Sequence, residues 1–168
     1  MKKMKPSKIT HVVAKTNRFI CPPGFIGLTF KGTVYTRKKS SNEKINKTEG
    51  IDSAFENHEL IHVHQAVSTN DSWLLFYMLY IWQWILNLPL VFINIYAPYK
   101  FIAFEMEAYA NENYMNYNLS NTDAKQWKDY NKLSLRKKWR FAKEYYSKYR
   151  KKMPFGRYVE DYVKNEQL

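Results

Sequence analysis

The segment His58-Glu59-Leu-Ile-His62 has the residue types and the spacing of a zinc site. Residues i and i+4 of a helix lie one above the other, so both imidazoles can reach one metal ion. Glu59 lies beside the first histidine, where a carboxylate can take the proton of a water that the metal has polarised. The pattern therefore predicts His58 and His62 as ligands and Glu59 as general base. The alternative is a polar helix face with two ordinary histidines.

A second helical stretch, 105–112, offers carboxylates for the third protein ligand that a catalytic zinc requires. On a helix Glu105, Ala108 and Glu112 share one face, whereas Glu107 points toward the side of Asn111. A solvated acidic face explains most glutamate-rich helices. These acids, however, lie in an otherwise apolar stretch, where a carboxylate needs a partner.

Together these two motifs resemble a known family. The quoted segments are His58-Glu-Leu-Ile-His62-Val-His-Gln65 and Phe104-Glu-Met-Glu-Ala-Tyr-Ala-Asn-Glu112, with an aromatic apolar segment between them. They resemble small gluzincin-type zinc metallopeptidase-like proteins, and are similar to small Bacteroidetes proteins with the same pair of helices. The resemblance covers about residues 55–118. It implies a zincin-like helical core, Zn²⁺ as cofactor, ligands His58, His62 and Glu105, and Glu59 as the base.

The sequence departs from the gluzincin pattern in two places. Tyr109 stands where many gluzincins have Asp, so the usual carboxylate partner of a zinc-bound histidine is missing from that position. The 42 residues between His62 and Glu105 form a long insertion. His64 lies about 200° round the helix from His62, so it is not expected to join the same metal.

Length and composition favour one domain. The chain has 168 residues, of which 45% are hydrophobic, so extensive disorder is excluded. A single cysteine, Cys21, excludes an internal disulfide and a multi-cysteine zinc finger.

The net charge of +12 is unevenly distributed. Residues 1–50 carry +10, residues 51–124 carry −7, and residues 125–168 carry +9. Basic ends favour solubility and proximity to an anionic membrane. Nucleic acid is not an expected partner, because the basic segments contain no recognisable nucleic-acid module. The N-terminus lacks the apolar run of a secretory signal, so the predicted location is cytoplasmic, with the membrane surface as an option.

The predicted fold class is mainly α with a small N-terminal β-hairpin (α+β), arranged as one zincin-like domain over residues 1–168. Residues 1–50 are expected to form the basic hairpin and loop, with strands at 25–30 and 33–36 and a turn at Lys31–Gly32. Residues 51–122 hold the metal-site helices and an apolar insertion, and residues 123–168 form a basic helical region. Asp52 or Ser53 is expected to cap the first helix, with Glu56 completing a capping box.

The apolar segment Trp73–Tyr96 has 24 residues, enough for a transmembrane helix. A single span would place the histidines and Glu105 on opposite faces of a hydrocarbon core about 30 Å thick. We therefore expect a fold-back at Asn87–Pro89, since proline disfavours a continuing helix, with arms 73–86 and 90–96. The arms are expected to form a buried hairpin or a homodimer interface; a shallow contact with a membrane surface is the alternative.

The predicted function is a zinc-dependent hydrolase, most readily a metallopeptidase that acts on a peptide or protein substrate. The alternative is a non-catalytic, metal-stabilised module at a membrane or protein interface.

Overall fold

The computed structural model describes residues 12–16, 27–30, 33–36, 44–45, 54–114, 116–117 and 125–166. Helices dominate this part of the chain, which confirms the prediction of a mainly helical protein. The α-helices are α1 Ala54–Ser68, α2 Trp73–Asn87, α3 Ala97–Lys100, α4 Ala103–Asn111, α5 Trp127–Tyr130, α6 Leu135–Glu144 and α7 Phe155–Tyr158. A 3₁₀ segment, Leu88–Phe92, continues α2, and π-helical turns at Tyr145–Tyr149 and Val159–Val163 extend α6 and α7.

Four short strands precede the helices: β1 Val12–Thr16, β2 Gly27–Phe30, β3 Thr33–Thr36 and β4 Lys44–Ile45. They are ordered β2-β3-β1-β4. The predicted turn at Lys31–Gly32 lies outside the described residues, so the hairpin stays a prediction. The predicted capping residues 52–53 and Cys21 also lie outside them.

Helix α4 lies at the centre of the core. All of its residues except Tyr109 are buried, although two of them are glutamates. The Phe104 ring packs against Phe76 of α2 and Trp127 of α5, with ring centroids 4.8 and 4.5 Å away. Carboxylates carried by such a helix must find partners inside the protein.

A glycine allows α7 to pack directly on α4. A Cβ atom built on Gly156 would lie 1.9 Å from the carbonyl oxygen of Tyr109. The backbones therefore approach more closely here than any residue with a side chain allows.

The apolar segment folds back, but not through the predicted second arm. Pro89 lies in the first turn of the 3₁₀ segment, where its missing N–H leaves no bond unmade, so the helical path continues to Phe92. The chain then returns through α3 and α4, antiparallel to α2. The Asn87 amide donates to the carbonyl of Pro98, and the Ala103 N–H donates to the Gln83 side chain. The predicted arm 90–96 is thus wrong.

Of the alternatives for this segment, the fully buried hairpin is wrong. Within α2 only Phe76, Gln83 and Asn87 are buried. Large apolar side chains are exposed along its other side, from Leu74 to Ile95. A plain core hairpin is excluded.

Candidate metal centre

Helix α1 presents the two predicted histidines side by side. His58 and His62 lie one turn apart, with ring centroids separated by 4.9 Å. Each residue is only 6% exposed, so the imidazoles face the interior and not the solvent.

Helix α4 brings Glu105 to both imidazoles. Its Oε2 lies 3.3 Å from Nε2 of His58, and its Oε1 lies 3.2 Å from Nε2 of His62. One ligand atom from each of the three residues lies within 4.8 Å of the others. The structure thus brings together the three residues that the sequence predicts as ligands; that they bind a metal ion stays a prediction.

The chemistry of this cluster suits a metal ion. Two imidazole nitrogens and one carboxylate oxygen form a ligand set of the kind that zinc takes in catalytic sites. The Glu105 carboxylate is buried, and its Oε2 lies 3.3 Å from Nε2 of His58, without a well-formed hydrogen bond among the described residues. A buried carboxylate needs a cation beside it, which is a protonated imidazole when metal is absent or the metal ion itself.

Outer partners hold both histidines in the orientation that ligation needs. Nδ1 of His58 lies 2.9 Å from a carboxylate oxygen of Glu112, and Nδ1 of His62 lies 2.8 Å from Oε1 of Gln65. Gln65 donates its amide to Glu107, so its oxygen accepts from His62. With Nδ1–H donating outward, each Nε2 is turned toward Glu105 and can offer its lone pair to a metal.

Glu112 supplies the carboxylate partner that is missing from position 109. The ring of Tyr109 instead packs edge-on against His58 at 4.7 Å. Glu112 lies almost two turns after Glu105 on the same face of the helix, and that spacing was the signal in the sequence. Its link to His58 depends on how α1 and α4 are placed.

Glu107 points away from the centre, as predicted, and holds Gln65, the residue that orients His62. Its carboxylate accepts from the Gln65 amide at 2.8 Å and from the Tyr117 hydroxyl at 2.5 Å. The backbone N–H groups of Gln126 and Trp127 also donate to it. Burial raises the pKa of Glu107, although these hydrogen bonds oppose that change. Glu107 therefore positions His62 through Gln65.

Tyr80 of α2 contacts the centre, although it was not among the residues predicted for the site. Its hydroxyl donates to Oε1 of Glu105 at 2.7 Å. The available signal was the spacing of Tyr80, Gln83 and Asn87, which places three polar side chains on one face of an otherwise apolar helix.

Glu59, the predicted base, is buried beside the cluster and lies outside the ligand group. It accepts a hydrogen bond from the Thr29 hydroxyl of β2. Its negative charge contributes to raising the pKa of both histidines, so it lies within electrostatic reach of them. His64 is buried but does not belong to the cluster, in line with its predicted position.

His58, His62 and Glu105 strongly shift one another's pKa values. Burial alone would lower the pKa of His58, but Glu105 and Glu112 overcome it and raise that pKa to about 10. The pKa of His62 is also raised, chiefly by Glu105 against the effect of burial. Burial would raise the pKa of Glu105, but the imidazoles hold it well below its usual range. Without a metal the raised pKa values favour protonation of the imidazoles, so a metal must compete with protons for them.

Comparison with protein-family models, curated proteins and solved structures gave no match. The resemblance to gluzincins stays a prediction.

Proposed function

We propose that this protein is a zinc-dependent hydrolase, most readily a metallopeptidase of gluzincin type. The observation that carries the proposal is the convergence of His58, His62 and Glu105, whose buried carboxylate lies between the two imidazoles. Glu59 lies beside this group without belonging to it, as a general base must.

Bound zinc would supply a Lewis acid that polarises the scissile carbonyl and lowers the pKa of the attacking water. Glu59 takes a proton from that water as the oxygen bonds to the carbonyl carbon. It then delivers the proton to the amine nitrogen as the C–N bond breaks, so a carboxylic acid and an amine leave. Thr29 holds the Glu59 carboxylate, and Glu112 and Gln65 hold the histidine rings.

The hydrogen bond between Thr29 and Glu59 supports a way to bind an extended substrate. Thr29 belongs to β2, which lies at one edge of the sheet in the order β2-β3-β1-β4. A peptide that pairs with an edge strand presents its backbone in extended form. We propose that an extended peptide lies along β2 with its scissile bond near Glu59.

The test compares zinc-loaded wild-type protein with Glu59→Gln on a peptide library, with new amino termini identified by mass spectrometry. The variant should bind zinc normally, because Glu59 is not a ligand, and should lose hydrolysis at least a hundredfold. Glu56→Gln makes the same chemical change one turn earlier on α1 and should retain activity. Hydrolysis that survives in Glu59→Gln would refute the role of Glu59 as the base.

A non-catalytic, metal-stabilised module is the second candidate. The observation that favours it is the deep burial of the site, where the three grouped residues are 2–6% exposed. This candidate predicts zinc binding with thermal stabilisation and no hydrolysis in wild type or variant.

A further inference from the structure

One side of α2 and of the 3₁₀ segment after it is an exposed apolar surface, here called the outer face. Its main members are Leu74, Met78, Ile81, Trp82, Ile85 and Phe92. Their exposed fractions range from 44% for Ile85 to 86% for Phe92. The 28 residues from Ser72 to Tyr99 carry no formal charge. An exposed apolar patch of this length marks an interaction surface.

The inner face of the same helix carries three polar side chains in addition to the buried Phe76. Tyr80 donates to Glu105, Gln83 accepts from the Ala103 N–H, and Asn87 donates to Pro98. Asn87 also accepts from the ammonium of Lys138, which is 5% exposed. Helices on the surface of a water-soluble domain have the opposite arrangement, with polar residues outside. The inverted polarity of α2 indicates that its outer face contacts an apolar phase.

Helix α2 is held against the body of the protein along its length. Phe76 packs on Phe104 near its start, and Asn87 bonds to Pro98 at its end. By length and composition the helical stretch Trp73–Phe92 could cross a membrane, but one side of it is occupied by α3, α4 and α6. Lipid can therefore reach only the outer face, and such a helix lies in the plane of the interface.

Cations lie near the C-terminal end of α2. The bond between Lys138 and Asn87 places α6 beside the C-terminal end of α2. On α6, Arg136, Lys137 and Lys143 are exposed, and residues 135–152 contain nine Lys or Arg against one acid. These charges attract an anionic surface. A two-fold dimer through α2 would bring two such cationic segments to the rim of one interface, where they repel.

We propose that the outer face docks flat on an anionic phospholipid bilayer, with the α6 cations at the headgroups. Tyr80 connects the inner face of α2 to Glu105, so docking would hold the metal centre close to the membrane surface, on the protein side of α2. The docking does not require zinc or hydrolysis, and it can be tested independently of both.

The first experiment uses a fluorophore that reports the polarity around it. In a Cys21→Ser background, Met78→Cys and Ile85→Cys carry the label on the outer face, and Asn113→Cys carries it at an exposed position outside α2. Vesicles of phosphatidylcholine with phosphatidylglycerol should shift the emission to the blue at 78 and 85 and leave 113 unchanged. An unchanged emission at 78 and 85 would overturn the proposal.

The second experiment measures vesicle sedimentation. The triple variant Ile81→Ser, Trp82→Ser, Ile85→Ser should lose binding at least tenfold, whereas Tyr114→Ser, an exposed aromatic outside α2, should bind as wild type. Because the three positions are on the surface, circular dichroism should show an intact fold. Arg136→Gln with Lys137→Gln and Lys143→Gln should reduce the preference for phosphatidylglycerol; equal binding to vesicles of phosphatidylcholine alone would refute the anionic component.

Analytical ultracentrifugation without vesicles tests whether a second copy of the protein, and not lipid, covers the outer face. The protein should sediment as a monomer. A dimer whose labels at 78 and 85 are already blue-shifted would show that a second copy covers the outer face and would overturn the proposal.

Discussion

At the scale of single residues, the candidate metal centre depends on the side chains around the ligands as much as on the ligands. Each histidine has its outer nitrogen held by an oxygen, that of Glu112 or of Gln65. These contacts fix which nitrogen faces Glu105 and raise the basicity of the ligand. Their removal should therefore weaken metal binding without removing any ligand.

Replacing Glu112 with alanine should lower zinc affinity about 10- to 100-fold, the usual effect of losing an outer-shell partner. Competition with a chromogenic chelator gives the affinity. Glu160→Ala removes a carboxylate that pairs with Tyr114 and not with a histidine, so it should leave the affinity unchanged. Equal affinities for wild type and Glu112→Ala would show that Glu112 does not support a ligand.

Zinc affinity should rise with pH above neutrality. The pKa of His58 is about 10 in the folded, metal-free protein and 6.5 in the unfolded chain. Its contribution to stability is therefore complete below pH 6.5 and is lost as the pH rises through about 10. Zinc must displace this proton, so at least about one proton should be released per zinc at pH 7.5. Calorimetric titrations in buffers of different ionisation enthalpy measure that number; a value of zero would contradict a protonated cluster.

At the scale of secondary structure, α4 is held in place from two sides, and both supports can be tested. Helix α7 packs against its backbone at Gly156, and α2 caps its first turn through Gln83. Since α4 carries Glu105, a displaced α4 should also disturb the metal centre.

Gly156→Ala should lower the free energy of unfolding by about 1–3 kcal/mol or more, because the new methyl group would overlap the Tyr109 carbonyl. Urea denaturation measures the change. Lys151→Ala, at an exposed position in the preceding turn, serves as the control and should stay within about 0.5 kcal/mol of wild type. Unchanged stability in Gly156→Ala would mean that the helices separate at little cost.

Gln83→Leu should cost about 1–3 kcal/mol, since the buried N–H of Ala103 loses its acceptor. It should also weaken zinc binding, because this N–H lies in the turn that carries Glu105. Ile85→Leu on the outer face preserves volume and polarity and should change neither quantity. A stable Gln83→Leu protein with normal zinc binding would contradict a capping role.

At the scale of the whole molecule, a bound metal would join two helices that are distant in sequence. His58 and His62 come from α1 and Glu105 from α4, and the sequence between them includes all of α2. A metal that binds only the folded arrangement therefore stabilises the whole domain.

Zinc at 100 times its dissociation constant should stabilise the fold by about 2.7 kcal/mol, seen as a rise in melting temperature. His62→Ala should abolish the rise. Magnesium, which prefers oxygen ligands in octahedral geometry, should have no effect on wild type and serves as the control. A rise that persists in His62→Ala would place the zinc elsewhere.

Local sequence determined the parts of this protein that depend on helical spacing. His58 and His62 share a face because they are four residues apart, and Glu105 and Glu112 share one because they are seven apart. The helical class followed from the same periodicity. Such spacing describes one helix at a time, however, and cannot say which residues of different helices meet.

Only the tertiary structure decided the remaining features. The contacts of Glu112 with His58 and of Tyr80 with Glu105 depend on how three helices pack. The sequence left the environment of the apolar segment open, because an apolar helix has the same composition whether its side chains meet a protein core or a surrounding apolar phase. The side of α2 that faces the body is set by the polar contacts of Gln83 and Asn87 with the returning chain. The buried Ala103 N–H and Pro98 carbonyl need hydrogen-bond partners. Gln83 and Asn87 supply them from the side of α2 that faces the body, and the opposite, apolar side stays exposed.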